Sequence, residues 1–236
     1  LVERTVRWGN FVVDSLSGDL RVSVGLLATS VETIPPQRIH TLEFSQPWPW
    51  KLFGWWRLNA NLASQPGAAT NKAPEHTVII PVATVAEVVK TVRLGMPGMI
   101  SGEVEELVEG MLLQPRKRRA GGLGSPRRGR WRNPLSAHLT MATLQPGLVV
   151  MRRGLLTSRI SVTPLTRIQS ASVSQGPWHR ALGLSHIHLH SVAGPVSLRA
   201  SALDSEDARK WWEELNVATH TAVSAVGYHP SRGEQA

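Results

Sequence analysis

The 236-residue sequence contains no cysteine, which excludes a disulfide framework and any thiolate metal site. It has one tyrosine and three phenylalanines but nine tryptophans, so its large aromatic surface comes mostly from indole rings. No apolar run reaches the roughly 18 residues of a transmembrane helix, and no signal peptide is visible. The first residue is Leu1 and not methionine, and we expect the sequence to be a segment of a longer protein.

The motifs of several enzyme classes are also missing. No glycine-rich phosphate loop follows a strand, and neither Gly-x-Ser-x-Gly nor His-Glu-x-x-His occurs. Acidic residues cluster in predicted helices and do not form facing pairs. We therefore predict a protein that is not an enzyme, with no catalytic residues, no cofactor and no identified small-molecule substrate.

Positive charge is concentrated in one segment, residues 115–132, which holds eight basic residues and no acidic one. The eight are Arg116, Lys117, Arg118, Arg119, Arg127, Arg128, Arg130 and Arg132. Without them the net charge falls from +9 to +1. Glycine, proline and serine between them predict a flexible linker. A solvated linker and an anionic membrane surface both fit, whereas nucleic acid is disfavoured because Trp131 is the only aromatic residue available for base stacking.

A duplication organises the rest of the chain. Residues 154–183 align without a gap on residues 25–54 after a shift of 129 positions. The core motif of the two copies is Gly25, Leu26, Pro35, Arg38, Gln46 and Gly54 in the first and Gly154, Leu155, Pro164, Arg167, Gln175 and Gly183 in the second. Two copies of one structural unit are therefore predicted.

Each copy is predicted to end in a helix that covers its sheet. Thr84 and Glu87 form a capping box before a valine stripe at helical spacing. Asp204 caps the second helix, whose stripe is Ala208, Trp211, Trp212 and Leu215. The predicted organisation is a first unit at 1–98, an acidic helix with the basic linker at 99–134, a second unit at 135–218 and a disordered tail at 219–236.

Three histidines alternate along a predicted strand, so they share one face. They are His186, His188 and His190. Three imidazoles on one face are a candidate zinc site. Their repeat partners Arg57, Asn59 and Asn61 are equally polar but are not metal ligands, which favours an ordinary polar face.

Two further features have alternative interpretations. Arg38 and Arg167 are charged in both copies and either contact phosphate or, as we favour, bond turn carbonyls beside the core. The tryptophans of the segment 48–56 are interpreted mainly as core residues or as residues that pack between the two units, with the membrane interface as the alternative. They are Trp48, Trp50, Trp55 and Trp56.

These residues together resemble the bacterial membrane-flanked PH-like domain family. The pattern GLLxxxxxxxPxxRIxxxxxSQ occurs twice, and RWRNPL at 130–135 and GPVSLRASALDSEDA at 194–208 are similar to YdbT-type proteins of actinobacteria. The resemblance implies a mainly β (α+β) fold of two tandem PH-like domains, each with two orthogonal antiparallel sheets of about six or seven strands and a C-terminal capping helix. The copies differ where Pro47–Trp50 replaces Gly176–His179.

The resemblance also implies a protein of the cell membrane, anchored by transmembrane helices outside this segment, with soluble modules facing the cytoplasm. We predict a non-catalytic binding or scaffolding module with a protein partner. The alternative is a module that binds an anionic lipid surface through the basic linker and the tryptophan-rich patch.

Overall fold

The computed structural model describes residues 12–16, 19–24, 30–63, 78–95, 102–114, 122–126, 128–129, 139–192 and 196–225. The first unit consists of β1 (Val12–Leu16), β2 (Asp19–Val24), β3 (Ser30–Ile34), β4 (Ile39–Pro47), β5 (Trp56–Leu62), β6 (Val78–Ala83) and α1 (Val85–Gly95). Between the units lie α2 (Glu103–Leu113) and β7 (Leu123–Gly124). The second unit consists of β8 (Met141–Gln145), β9 (Leu148–Arg153), β10 (Thr157–Pro164), β11 (Ser170–Ser174), α3 (Pro177–Ala181), β12 (Leu184–His190), β13 (Leu198–Asp204) and α4 (Ser205–Ala225).

The order of elements is the same in the two units. Each has three strands, a 3-10 turn, three further strands and a closing helix, and the turns at 36–38 and 165–167 each follow a motif proline. Gly54 and Gly183 have φ angles of 65° and 61°. A side chain is disfavoured in this left-handed region, which explains why both copies have glycine there. The motif residues Gly25 and Leu26 lie outside the described residues.

The strands form three antiparallel sheets, with the orders β1-β2-β3, β6-β5-β4-β10-β9-β8-β7 and β11-β12-β13. The prediction of antiparallel sheets with a C-terminal helix is confirmed. The units are not separate, however, because β4 of the first pairs with β10 of the second and places Phe44 opposite Ile160. One sheet of each unit therefore merges into a single seven-stranded sheet.

Strand β9 lies between two hydrophobic cores. Leu148 and Val150 pack into the core of the first unit, and Val149 and Met151 pack into the core of the second. Side chains alternate between the two faces of a strand, so burial on both faces requires an unbroken apolar run. The sequence of β9 begins with such a run, LVVM.

Both closing helices begin as predicted. The Thr84 backbone N–H donates to Glu87 Oε2 at 2.8 Å, and the Glu87 N–H donates to Thr84 Oγ1 at 3.4 Å. In the second unit, Asp204 Oδ1 accepts the N–H groups of Glu206 and Asp207 at 3.0 and 3.4 Å. The side-chain oxygens thus satisfy backbone donors that a helix start leaves unpaired.

The segments between and after the units are more ordered than the sequence suggested. Helix α2 buries Val104, Val108, Met111 and Leu112 in the first core. Leu123–Gly124, inside the segment predicted as a flexible linker, pairs with β8. Helix α4 continues to Ala225, so residues 219–225 of the predicted tail are helical. In the described part of the chain, no helix is both long and apolar enough to cross a membrane.

Candidate binding cleft

The aromatic turn after β4 lies largely at the surface. Residues 48–52 form a 3-10 helix, and its first residue lies between Pro47 and Pro49. Trp48 is 61 % exposed, Leu52 84 % and Phe53 62 %, whereas Trp56 is fully buried. The interpretation of this segment as core or packing between the units is therefore wrong for Trp48, and of the four tryptophans only Trp56 belongs to the first core.

A surface cleft of about 520 Å³ opens beside this turn, and we name it the turn cleft. Its wall comes from the turn, from β5 and from the ends of α1 and α2. The residues used below are Gln46, Trp48, Lys51, Leu52, Trp56, Val85 and Leu113. Lys51 Nζ donates to the Leu155 carbonyl at 2.7 Å, which ties the cleft to the turn between β9 and β10 of the second unit.

The cleft contains a buried polar group without a hydrogen-bond partner, next to a buried glutamine. Gln46 is only 4 % exposed, and Trp56 Nε1 is buried with no hydrogen-bond partner. A buried donor without an acceptor costs about 1–3 kcal/mol relative to a satisfied one. An acceptor brought by a ligand would recover part of that free energy.

The second unit satisfies the same positions internally. Gln175, the repeat partner of Gln46, donates from Nε2 to the Leu184 carbonyl and to Ser205 Oγ, both at 2.9 Å. Ser185 Oγ donates to Ser205 Oγ, also at 2.9 Å. The first unit has Trp56 and Val85 at the positions of these two serines. The hydroxyl groups that close the network in the second unit are therefore absent from the first.

This difference predicts the effect of Ser205→Val. The variant removes the hydroxyl shared by Gln175 and Ser185 and should lower the free energy of unfolding by about 1–3 kcal/mol. Urea denaturation of the full chain measures the loss. The reciprocal variant Val85→Ser supplies the first unit with a hydroxyl and should cost less than Ser205→Val. Equal losses in the two variants would contradict the assigned network.

The histidine face of β12 exists, but it divides into pairs. The rings of His188 and His190 lie 4.2 Å apart between centroids, while His186 contacts His179 at 4.3 Å. His186 Nδ1 accepts the Ala202 N–H at 3.2 Å. No group of three or more His, Asp or Glu side chains among the described residues is arranged to hold a metal ion.

His186 makes stability depend on pH. Burial, followed by the charges of His179 and Arg199, lowers the pKa of His186 from 6.5 to about 4. Because the folded state favours the neutral ring, this stabilisation is complete above pH 6.5 and is lost as the pH falls through 4. His186→Gln should therefore weaken the decline in unfolding free energy between pH 6.5 and pH 4. Urea denaturation at several pH values tests this, and an unchanged profile would refute it.

The arginines of the motif and of the basic segment have structural contacts where they are described. Arg38 donates from Nε and Nη2 to the Ala63 carbonyl, just after β5, at 3.3 and 3.1 Å. Arg167 is half-buried, and its charge, after burial, lowers the pKa of His40. Arg128 forms an ion pair with Asp204. The other seven basic residues of the segment lie outside the described residues.

The cleft was not recognised from the sequence. Gln46 was noted only as a residue that both copies share. The cleft is instead indicated by positions at which the two copies differ. Comparing Trp56 with Ser185 and Val85 with Ser205 shows that two hydroxyl groups are lost. Only the fold shows that, in the second unit, both positions belong to one hydrogen-bond network with the same glutamine.

Comparison with known families supports the fold of the second unit. Residues 128–219 match the family described as Bacterial PH domain. The matched segment includes β8–β13 and most of α4. No curated protein matches the chain. The second unit thus resembles a class of binding and scaffolding domains that is typically non-catalytic.

Proposed function

We propose that the chain is a non-catalytic scaffold of two tandem PH-like domains at the cytoplasmic face of a bacterial membrane protein, of the YdbT type found in actinobacteria. The first unit is a diverged second copy of the domain, and it binds a protein partner in the turn cleft. The observation that carries this function is the Trp56 indole N–H, which is buried without a hydrogen-bond partner in the cleft that also contains Gln46, the counterpart of the Ser205-bonded Gln175.

The tandem arrangement is supported by three shared features. The units have the same element order, the same left-handed glycine after the turn and a side-chain cap on the closing helix. The gap-free alignment of residues 25–54 with 154–183 gives the same correspondence. The copies differ at the turn cleft, at Trp56 and Val85 in place of Ser185 and Ser205, which is where a new binding specificity would arise.

The chemistry of the cleft defines the partner. Trp48, Leu52 and Leu113 are 61 %, 84 % and 63 % exposed and offer an apolar wall. The Gln46 amide, the Trp56 indole and the Lys51 ammonium group are hydrogen-bond donors in or beside it. This combination fits an apolar peptide segment whose carboxylate or carbonyl oxygens accept hydrogen bonds.

Capture of partners from membranes by crosslinking tests this function. Val85→Ser supplies an internal hydroxyl to Gln46, as Ser205 does for Gln175, and should reduce capture several-fold. Val82→Ser is the matched control, because Val82 is 47 % exposed on β6 and does not line the turn cleft. Equal capture by the two variants, or no enrichment over unfolded protein, would contradict the proposal.

The second candidate is binding to an anionic lipid surface. Lys51 contacts the residue before Leu156, so an exposed leucine of the second unit lies beside the aromatic turn. Leu156 is 70 % exposed, and with Leu52 and Phe53 it forms an apolar surface next to a cation. Such a surface inserts into the headgroup region, and the basic segment adds about 1 kcal/mol per charge close to an anionic leaflet.

Liposome flotation separates the two candidates. Lipid binding predicts flotation only with anionic lipid, and its loss in Leu52→Ser/Leu156→Ser. Replacement of Arg116–Arg119 with alanine and serine should weaken it further. Flotation that is absent, or that ignores lipid charge, would favour the protein partner.

A further inference from the structure

The interface that joins the two units has unused counterparts in the same chain. Strand β11 is the repeat partner of β4, and β3 is the repeat partner of β10. β4 and β10 pair with each other, but within the described residues β11 pairs only with β12 and β3 only with β2. Each chain therefore presents both halves of the junction a second time, at separate edges.

The unused edge of β11 is exposed where its counterpart is buried. Phe44 of β4 is 1 % exposed, whereas its repeat partner Val173 is 41 % exposed. Four of the five residues of β11 are exposed, while β4 is buried except at His40 and Pro47. Pairing with β10 covers the outer edge of β4, and helix α2, which has no counterpart among the described residues of the second unit, covers part of its face in the first core.

Both edges of the seven-stranded sheet carry features that prevent further pairing. Strand β6 contains Pro81, which lacks an N–H donor, and β7 is only two residues long. Strand β11 has the sequence SASVS, without charge or proline. One acceptor of this edge, the Ala171 carbonyl, already receives the Trp212 indole N–H at 3.2 Å, so a strand that pairs at Ala171 must share or displace this hydrogen bond. An uncharged edge of this kind is a template for another strand.

We propose that β11 of one copy of this chain pairs antiparallel with β3 of a second copy, in the register of β4 and β10. That register places Ala171 opposite Thr33 and Ser174 opposite Ser30, by analogy with Leu42–Val162 and Ser45–Arg159. The resulting sheet has the order β13-β12-β11-β3-β2-β1. Because the two edges differ, the contact is head-to-tail and generates a ring or an open filament.

The intermolecular contact is weaker than the internal one. The junction contains an ion pair between Arg153 and Glu43 at 3.2 Å, and a hydrogen bond from Thr163 to Thr41 at 3.1 Å. The side chains at the repeat-equivalent positions cannot form the same ion pair or the same threonine–threonine hydrogen bond. They are Val24, Ser172, Ile34 and Ser170. Association therefore depends on protein concentration, and tethering on a membrane would promote it.

Disulfide trapping tests the register, because the chain has no cysteine of its own. A Thr33→Cys chain is mixed with an Ala171→Cys chain and oxidised mildly. Directly opposed residues lie about 4.5–5.5 Å apart between Cα atoms, within disulfide reach. Ser174→Cys is the matched control on the same strand, because Ser174 lies three residues, or about 10 Å, along β11 from the position opposite Thr33.

A several-fold higher yield of the mixed dimer with Ala171→Cys than with Ser174→Cys supports the proposed register. Equal yields, or no mixed dimer in either pair, overturn it. Circular dichroism of each variant before mixing establishes that the chains are folded.

Sedimentation velocity gives a second, independent measurement. The wild-type mass should rise above 25.8 kDa with concentration. Val173→Lys places a charge on the edge and should raise the required concentration about tenfold or more. Val217→Lys makes the same change at a valine that is 68 % exposed on α4 and should have no effect.

A wild-type chain that stays monomeric up to about 1 mM, or equal effects of the two lysines, would overturn self-association. Val85→Ser should leave the assembly unchanged, since it alters only the turn cleft. Loss of partner capture and loss of self-association are thus separable results.

Discussion

Replacing Trp211 with alanine is expected to lower the free energy of unfolding by about 3–5 kcal/mol. Trp211 is 7 % exposed and packs in the second core with Ala208 and Leu215 of the same helix. Truncation removes the apolar area of the indole and leaves a cavity that the sheet beneath α4 cannot fill. Urea denaturation of the full chain, followed by circular dichroism, measures the loss.

Trp212→Ala is the matched control for this prediction. Trp212 is half-buried, and its Nε1 donates to the Ala171 carbonyl at the edge of β11. Removing one hydrogen bond and part of a buried ring should cost about 1–2 kcal/mol. A larger loss for Trp212 than for Trp211 would mean that the helix packs with its other tryptophan inward.

The two tryptophans also show how far the helical pattern reaches. Consecutive residues point about 100° apart on a helix, so a stripe that contains both cannot face the core with both. The sequence predicted the helix, its cap at Asp204 and a broad apolar face. Which indole fills the core depends on how α4 lies on the sheet, and this is a tertiary property.

Local features of the fold were predictable because short-range physics determines them. The capping box at Thr84 needs only two residues three positions apart, and Gly54 and Gly183 report a left-handed turn. The sequence repeat then predicted that the two units have the same secondary-structure elements. The matching order of elements is the structural counterpart of that repeat.

The junction was not predictable in the same way. Pairing of β4 with β10 joins residues that are more than 100 positions apart, and no local pattern specifies which edges meet. The apolar run at 148–151 fits the burial of both faces of β9, but it was not singled out in the sequence analysis and specifies no partner strand. The sequence therefore suggested two separate domains, whereas the structure shares a sheet between them.

The candidate site was not predicted from the sequence for a related reason. Tryptophan is most often buried, so Trp48 was assigned to the core, yet its position in a turn between prolines leaves it exposed. The turn cleft forms where β4, β5 and α1 meet. Its polar mismatch becomes visible only when the copies are compared at structurally equivalent positions.

The ion pair across the junction leads to the second large prediction, for Arg153→Met. Arg153 Nη2 lies 3.2 Å from Glu43 Oε2, with side-chain exposures of 25 % and 6 %. Removing one partner of a buried pair costs about 3–5 kcal/mol, because the remaining charge is desolvated without compensation. The partial exposure of Arg153 places the expected loss of unfolding free energy near the lower limit, about 3 kcal/mol.

Two further variants separate the ion pair from general effects of mutation. Glu43→Gln combined with Arg153→Met removes both charges and should be more stable than Arg153→Met alone. Arg159→Met changes an exposed arginine on the neighbouring strand β10 and should alter stability by less than about 0.5 kcal/mol. If the double variant is as unstable as the single one, the loss comes from the altered packing of methionine in place of arginine. The junction then does not depend on the pairing of Arg153 with Glu43.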